Sequence, residues 1–270
     1  MQRTATAHLD LTLRGQADLA FIVAAADRWS SSEGRGAMEE TLTVTHDGAE
    51  LTPREIPDLH GTRMHHVRAS AGHVVLDYTV TVTGEGAPEA ISPADLIRYV
   101  RPSRYCQSDE LWPTAAAEFR GLEGLELIDA VTGWVRDRLS YVPGSSLPTD
   151  GATETMLARR GVCRDYAHLV IALLRARDVP TRLAAVYAPG LTPMDFHAIA
   201  EAYVDGAWYA LDATDLAPRR SMVRIATGRD AADTAFLSNA GAEVILNQIA
   251  VTAVADELPA DTSAEPVRLA

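Results

Sequence analysis

The spacing of apolar residues divides the chain into three stretches with different periods. Through residues 1–83 apolar side chains recur mainly at every second position, the period of a half-buried strand. Residues 8–13 and 64–68 follow it in part and residues 41–45 throughout, while residues 19–26 form a continuous apolar run of strand length. Residues 74–83 (VVLDYTVTVT) make the strongest strand, dense in β-branched side chains. Turn signals such as Asp47-Gly48 separate these runs, which together predict an antiparallel sandwich. The stretch 84–93 (GEGAPEAISP) holds two glycines and two prolines and reads as a linker.

Past the linker the period lengthens. Residues 122–139 place Leu125, Ile128, Val131, Val135 and Leu139 on one stripe, predicting a long amphipathic helix. Residues 140–151 read as a loop and 153–159 as a short helix with Thr153 as a candidate N-cap. In residues 160–176 (RGVCRDYAHLVIALLRA), Gly161 breaks the preceding segment, and Tyr166, Leu169, Val170, Leu173 and Leu174 fall on one helical face. Cys163 is thereby expected in the first turn of a helix that Asp178 and Pro180 end. Unpaired backbone N–H groups and the positive end of the helix dipole favour a thiolate there.

The period then returns to two. Residues 181–187, 196–204 and 207–211 are predicted strands, the last two joined by a tight Asp205-Gly206 turn. Strand character returns at 222–225 and 244–254, and the Pro-, Asp- and Glu-rich tail is expected to fray. This organisation predicts a β domain over 1–88, a mixed α and β core over 89–254 and a flexible tail over 255–270.

The hairpin carries the candidate chemistry. A direct cross-strand pairing of His197 with Asp212 is expected from the turn, which places both on one face with the carboxylate in reach of the imidazole. If the Cys163 helix abuts this sheet, the set is a nucleophile, a base and an orienting acid for attack on an amide or ester carbonyl. The Cys163 N–H, at the helix start, would help hold the oxyanion. Other readings compete residue by residue. Cys163 alone reads as a packed thiol. The three residues together would suit zinc, but no C-x-x-C pair accompanies them. His168 sits about 140° around the helix from Cys163 and reads as a packing histidine. Asp165 caps the helix or pairs with Arg164 or Arg160. Cys106 reads as a packed thiol beside the cleft. Arg101, Ser103 and Arg104 read as structural bridges ahead of substrate contacts, and Trp208 and Tyr209 as sheet packing. His60, His65, His66 and His73 raise a metal site, yet adjacent histidines on a strand face opposite ways.

Composition narrows the function classes. A 270-residue chain that is 47% hydrophobic and 23% charged is an ordinary globular protein with a sizeable core. Its net charge of −13 argues against nucleic acid and anionic membranes as partners. All 24 basic residues are arginine, as in proteins from GC-rich bacterial genomes. Two cysteines make no disulfide framework, and neither a signal-peptide run nor an 18-residue apolar span occurs, so a cytoplasmic protein with reduced thiols is expected. No G-x-G-x-x-G or P-loop is present, and no cofactor or metal is expected.

Three segments, GVCRDYAHL at 161–169, DFHAIA at 195–200 and WYALDAT at 208–214, resemble the catalytic segments of the transglutaminase-like superfamily in order and spacing. RPSRYCQSD at 101–109 and the N-terminal β region resemble bacterial members, so the likeness spans roughly residues 1–250. Ile199 stands where the family often has an aromatic residue, and Ala213 where it often has proline. The resemblance implies an α+β, papain-like core behind a β-sandwich-like domain. It implies amide chemistry on a peptide or protein substrate through an acyl-enzyme, with Cys163, His197 and Asp212 as catalytic residues. Hydrolysis is the leading expectation, with transamidation to an amine or a non-catalytic binding module as alternatives.

Overall fold

A computed structural model describes residues 1–29, 36–87, 89–261 and 265–269. Pro88 of the expected linker and residues 262–264 and 270 of the expected tail lie outside the described residues. The chain opens with β1 (Gln2–Leu13), β2 (Ala17–Phe21), β3 (Ala37–His46), β4 (Ala49–Leu51), β5 (Arg54–Pro57), β6 (Arg63–Ala69) and β7 (Gly72–Thr83). Alternate residues of β1 are buried along its whole length, as a strand with one face on a core requires. Helices α1 (Pro93–Arg98), α2 (Ser108–Glu118) and α3 (Gly124–Arg138) follow, then the two-residue strand β8 (Ser140–Tyr141), α4 (Ala152–Ala158) and the two-residue strand β9 (Arg160–Gly161). The last third holds α5 (Cys163–Arg175), β10 (Thr181–Tyr187), β11 (Phe196–Val204), β12 (Ala207–Leu211), β13 (Val223–Gly228), α6 (Ala231–Thr234), β14 (Leu237–Gly241) and β15 (Val244–Ala255).

Two antiparallel sheets, ordered β15-β1-β7-β3-β4 and β14-β2-β6-β5, enclose a core that includes Leu9, Leu11, Leu19, Phe21, Leu76 and Val80. A third sheet, β12-β11-β10-β13, carries the helices. Its one face packs Leu183, Ala200 and Ala202 against α2, α3 and α5, and its other face packs Ala184, Val186 and Ile199 with Leu269. Covered on both faces, β12 and β13 are buried at every position. No helix among the described residues is long and apolar enough to cross a membrane.

Three sequence expectations shift. The core does not extend to 254, because β14 pairs with β2 and β15 with β1 along eleven positions, so residues 237–255 complete the first two sheets. The described part of the tail is docked: Ala210 N–H donates to Val267 O (2.8 Å), Arg219 pairs with Asp261 (3.2 Å), and Val267 and Leu269 are buried. Gly151, not Thr153, is the N-cap of α4, with Glu154 closing back on its N–H (2.9 Å).

The linker is anchored as well. Glu89 joins a buried ion cluster with Arg182 of β10 (2.5 Å), Arg224 of β13 (2.9 Å) and, through both arginines, Glu201 of β11. Burial would raise the Glu89 pKa, but the two arginines hold it down at about 2.

Candidate active site

Cys163 is the first residue of α5, after Val162 in extended geometry as N-cap. The helix start is fixed by Asp165, which is fully buried. One of its carboxylate oxygens accepts from Val162 N–H (2.8 Å) and the other from Arg164 (2.9 Å). Both partners expected for Asp165 are thus combined, except Arg160. Gly161 is explained by the same carboxylate: a Cβ there would lie 2.6 Å from Asp165 Cβ. The helix is buried from Asp165 to Arg175, all round rather than on one face. Its last residue, Arg175, donates to Thr181 O (2.8 Å), Arg101 O (3.1 Å), Ser103 Oγ (3.0 Å) and Arg229 O (2.6 Å), so the 101–109 segment is a structural brace. Cys163 itself is partly exposed, whereas Cys106 is fully buried and burial pushes its thiol up to about 12.

The hairpin turn has φ of 47° at Asp205 and 83° at Gly206, the pair of left-handed residues that a tight primed turn demands. Its register differs from expectation. Val204 pairs with Ala207 and Ala200 with Leu211, so His197 and Asp212 are not direct cross-strand partners but are offset by two positions. An offset of two keeps both side chains on one face. The contact therefore forms diagonally: His197 Nε2 lies 2.8 Å from Asp212 Oδ2. Asp212 is pinned in turn by Thr214, whose backbone N–H (2.9 Å) and hydroxyl (2.7 Å) donate to Oδ1. The loop after the acid is thus held without the proline common in the resembled family.

Both members of the pair are buried, His197 at 2% and Asp212 at 4% exposure. Burial would favour a neutral imidazole, but the Asp212 charge and hydrogen bond, with the Cys163 thiol alongside, raise the His197 pKa to about 10. Burial likewise works against the Asp212 charge, and the His197 charge and the His197 and Thr214 hydrogen bonds overcome it, holding the carboxyl below its usual range. With Nε2 committed to Asp212, Nδ1 is the ring nitrogen left for the Cys163 thiol, and it has no other hydrogen-bond partner among the described residues. This arrangement provides a cation beside a partly exposed thiol and a proton that can be passed to a leaving group.

Sequence reasoning expected a cleft but not the residues that wall it. A cavity of about 480 Å³ is lined by Cys163 and His197 together with Tyr105, Ile22, Phe196 and Phe236. Phe196 and Phe236 stack at 5.3 Å between centroids. Ile22 follows β2 and Phe236 precedes β14, so the N-terminal sheets build one wall. No local pattern announces this, because the wall depends on pairing between residues far apart in sequence.

His168 has the packing role expected of it. Its ring stacks on Tyr105 (5.3 Å, 8°) and its Nε2 accepts from Ala231 N–H (3.1 Å), both residues of the cleft wall. Burial lowers its pKa to about 4. The folded state therefore refuses a proton that the unfolded chain takes up below about 6.5. Acidification from pH 6.5 to 4 is expected to remove roughly 3 kcal/mol of stability through this residue. Urea titrations across that range would show it; an acid limb that is as steep in His168→Asn would assign the loss elsewhere.

The remaining expectations are simply placed. Trp208 packs edge-on against Tyr99 and under Arg182. His65 contacts Glu55 and His66 contacts Asp18 from opposite faces of β6. Among the described residues no group of three or more His, Cys, Asp or Glu side chains is placed to hold a metal ion.

Residues 114–213, which include Cys163, His197 and Asp212, match the model of the transglutaminase-like superfamily. The crystal structure of a candidate cysteine protease from Cytophaga hutchinsonii superposes with a TM-score of 0.86 at 32% identity, covering 98% of this chain and 95% of that one. Uncharacterized proteins of Mycobacterium leprae and Mycobacterium tuberculosis are 28% and 30% identical over 43% of this chain; the matches span 44% of those relatives, less than half their length. This chain belongs to the transglutaminase-like superfamily, whose members are generally proteases and transglutaminases.

Proposed function

We propose that the protein is a thiol-dependent amidase or peptidase working through an acyl-enzyme. The observation that carries this reading is the buried His197–Asp212 pair, held at 2.8 Å with its free nitrogen on the side of the Cys163 helix start. Cys163 Sγ adds to the amide carbonyl carbon and the carbonyl π pair moves to oxygen. The tetrahedral adduct collapses, the C–N bond breaks, and the amine departs with the proton from His197 Nδ1. Water then attacks the thioester, giving its proton back to His197 and releasing a carboxylic acid. The cleft favours an acyl group with an apolar side chain, since Phe196, Phe236 and Ile22 form its walls. If an amine replaced water in the second step, the same residues would perform transamidation.

Iodoacetamide labelling tests the nucleophile, with buried Cys106 as an internal comparison. Cys163 is expected to alkylate much faster than Cys106, and faster than an ordinary exposed thiol at neutral pH. His197→Ala should remove that advantage. Unchanged labelling in His197→Ala would sink the enzyme reading and favour a binding module that keeps the fold. Turnover of acyl-peptide libraries with and without added amine distinguishes hydrolysis from transamidation.

A further inference from the structure

A second cavity, of about 420 Å³, lies at the turn end of the β11–β12 hairpin, beside Gly206 and away from the His197–Asp212 end. It shares no lining residue with the Cys163 cleft. Three arginines line it, Arg28, Arg224 and Arg268, together with the apolar side chains of Trp208 and Leu269. They come from separate parts of the chain: the segment after β2, strand β13 and the tail. In a chain of net charge −13, such a gathering of cations runs against the overall balance.

These cations are incompletely answered. Arg28 is 9% exposed and donates to carbonyl oxygens, Ala87 O (2.6 and 3.1 Å) and Leu269 O (3.3 Å). No carboxylate among the described residues lies within ion-pair distance of it, and each terminal nitrogen keeps a second N–H to give. Burial and the Arg224 charge push its pKa down to about 10. Arg224 is 2% exposed; its terminal nitrogens bind Glu89 and Glu201, while its Nε has no hydrogen-bond partner among the described residues. Arg268 is exposed and rests over the Tyr209 ring. Two carboxylates share the wall. Glu89 is already divided between Arg182 and Arg224, and exposed Glu85 also supports the charge of Arg3. A buried cation answered by carbonyl dipoles alone is costly until an anion reaches it.

We propose that this cavity binds a small phosphorylated molecule, with Arg28, the Arg224 Nε and Arg268 donating to its phosphoryl oxygens and Trp208 and Leu269 flanking the rest of it. A planar carboxylate satisfies one guanidinium fork, whereas a tetrahedral phosphate presents oxygens to groups arriving from three segments. The volume is that of a small-molecule site. The proposal is independent of the chemistry at Cys163.

Calorimetric titration of the full chain with phenyl phosphate, at fixed ionic strength, is expected to show one saturable site and a melting temperature that rises with ligand. Inorganic phosphate should compete, and benzoate should bind more weakly. Arg268→Ala removes an exposed side chain and should raise the Kd for phenyl phosphate about ten-fold, the worth of one charge-assisted hydrogen bond. Alkylation of Cys163 by iodoacetamide should not change in that variant. Arg28→Met should weaken binding further; if it fails to fold, Arg268→Ala decides alone. The proposal is overturned by the absence of saturable binding to the unaltered protein, by an unchanged Kd in Arg268→Ala, or by benzoate binding as tightly as phenyl phosphate.

Discussion

Asp212→Asn is expected to reduce acyl transfer by about 10⁴-fold, the loss seen when the orienting acid of a triad is neutralised without a change of shape. The reason lies in where the imidazole sits. His197 is 2% exposed and owes its raised pKa, about 10, to the Asp212 carboxylate. Without that charge, burial is opposed only by the Cys163 thiol, and the pKa falls. Expulsion of the amine needs a protonated His197, so the rate of the unaltered protein should fall only as pH rises through about 10. In Asp212→Asn that alkaline limb should move to lower pH. The sign is the same for stability. A raised pKa stabilises the fold fully below 6.5 and loses its contribution as pH climbs to about 10. Profiles of peptide turnover against pH would measure both effects. An unmoved alkaline limb in the variant would mean that Asp212 does not govern His197.

The largest effect on stability is expected away from the reacting atoms. Glu201→Ala should cost about 3–5 kcal/mol, the range for breaking a buried ion pair from one side. Glu201 is fully buried and receives Arg182 (2.8 Å) and Arg224. Arg182 is its direct cross-strand partner on β10, and Arg224 comes from β13, so one carboxylate neutralises two buried cations across three strands. Deleting it leaves Glu89 alone against both. The comparison that tests this mechanism is Glu201→Ala combined with Arg224→Met. Removing a cation together with the anion should recover part of the loss, whereas a simple cavity would only grow worse. Chemical denaturation of both variants decides, and a single variant within about 1 kcal/mol of the unaltered protein would place it among ordinary substitutions.

Much of the transglutaminase-like core was legible because its signals are local. The Asp205-Gly206 turn, the start of α5 at Cys163 and the stripe of α3, apart from the exposed Leu125, sit where their sequences direct them. The hairpin register was misjudged by two, yet His197 and Asp212 still met, because an even slip leaves side chains on the same face. What stayed hidden depends on distant partners. The apolar run 244–254 announces a strand but not that its neighbour is β1, some 240 residues earlier. The all-round burial of α5 was invisible for the same reason, since its stripe was read without knowing what α2, α3 and β11 would cover. The tail looked frayed by composition, and its described part is held by Ala210 and Arg219 instead.

The placement of β1 between β15 and β7 has a consequence for biosynthesis. Strand β1 gains its second neighbour only when Val244–Ala255 has been made. Until then the nascent protein carries a twelve-residue strand with one ladder open. Nearly the whole papain-like unit is translated in the interval and can close around its own core first. An open edge is a template for pairing with other chains. Truncation before Val244 should therefore leave the β12-β11-β10-β13 sheet intact in sequence and yet yield a protein that aggregates, β15 being as decisive for solubility as β1.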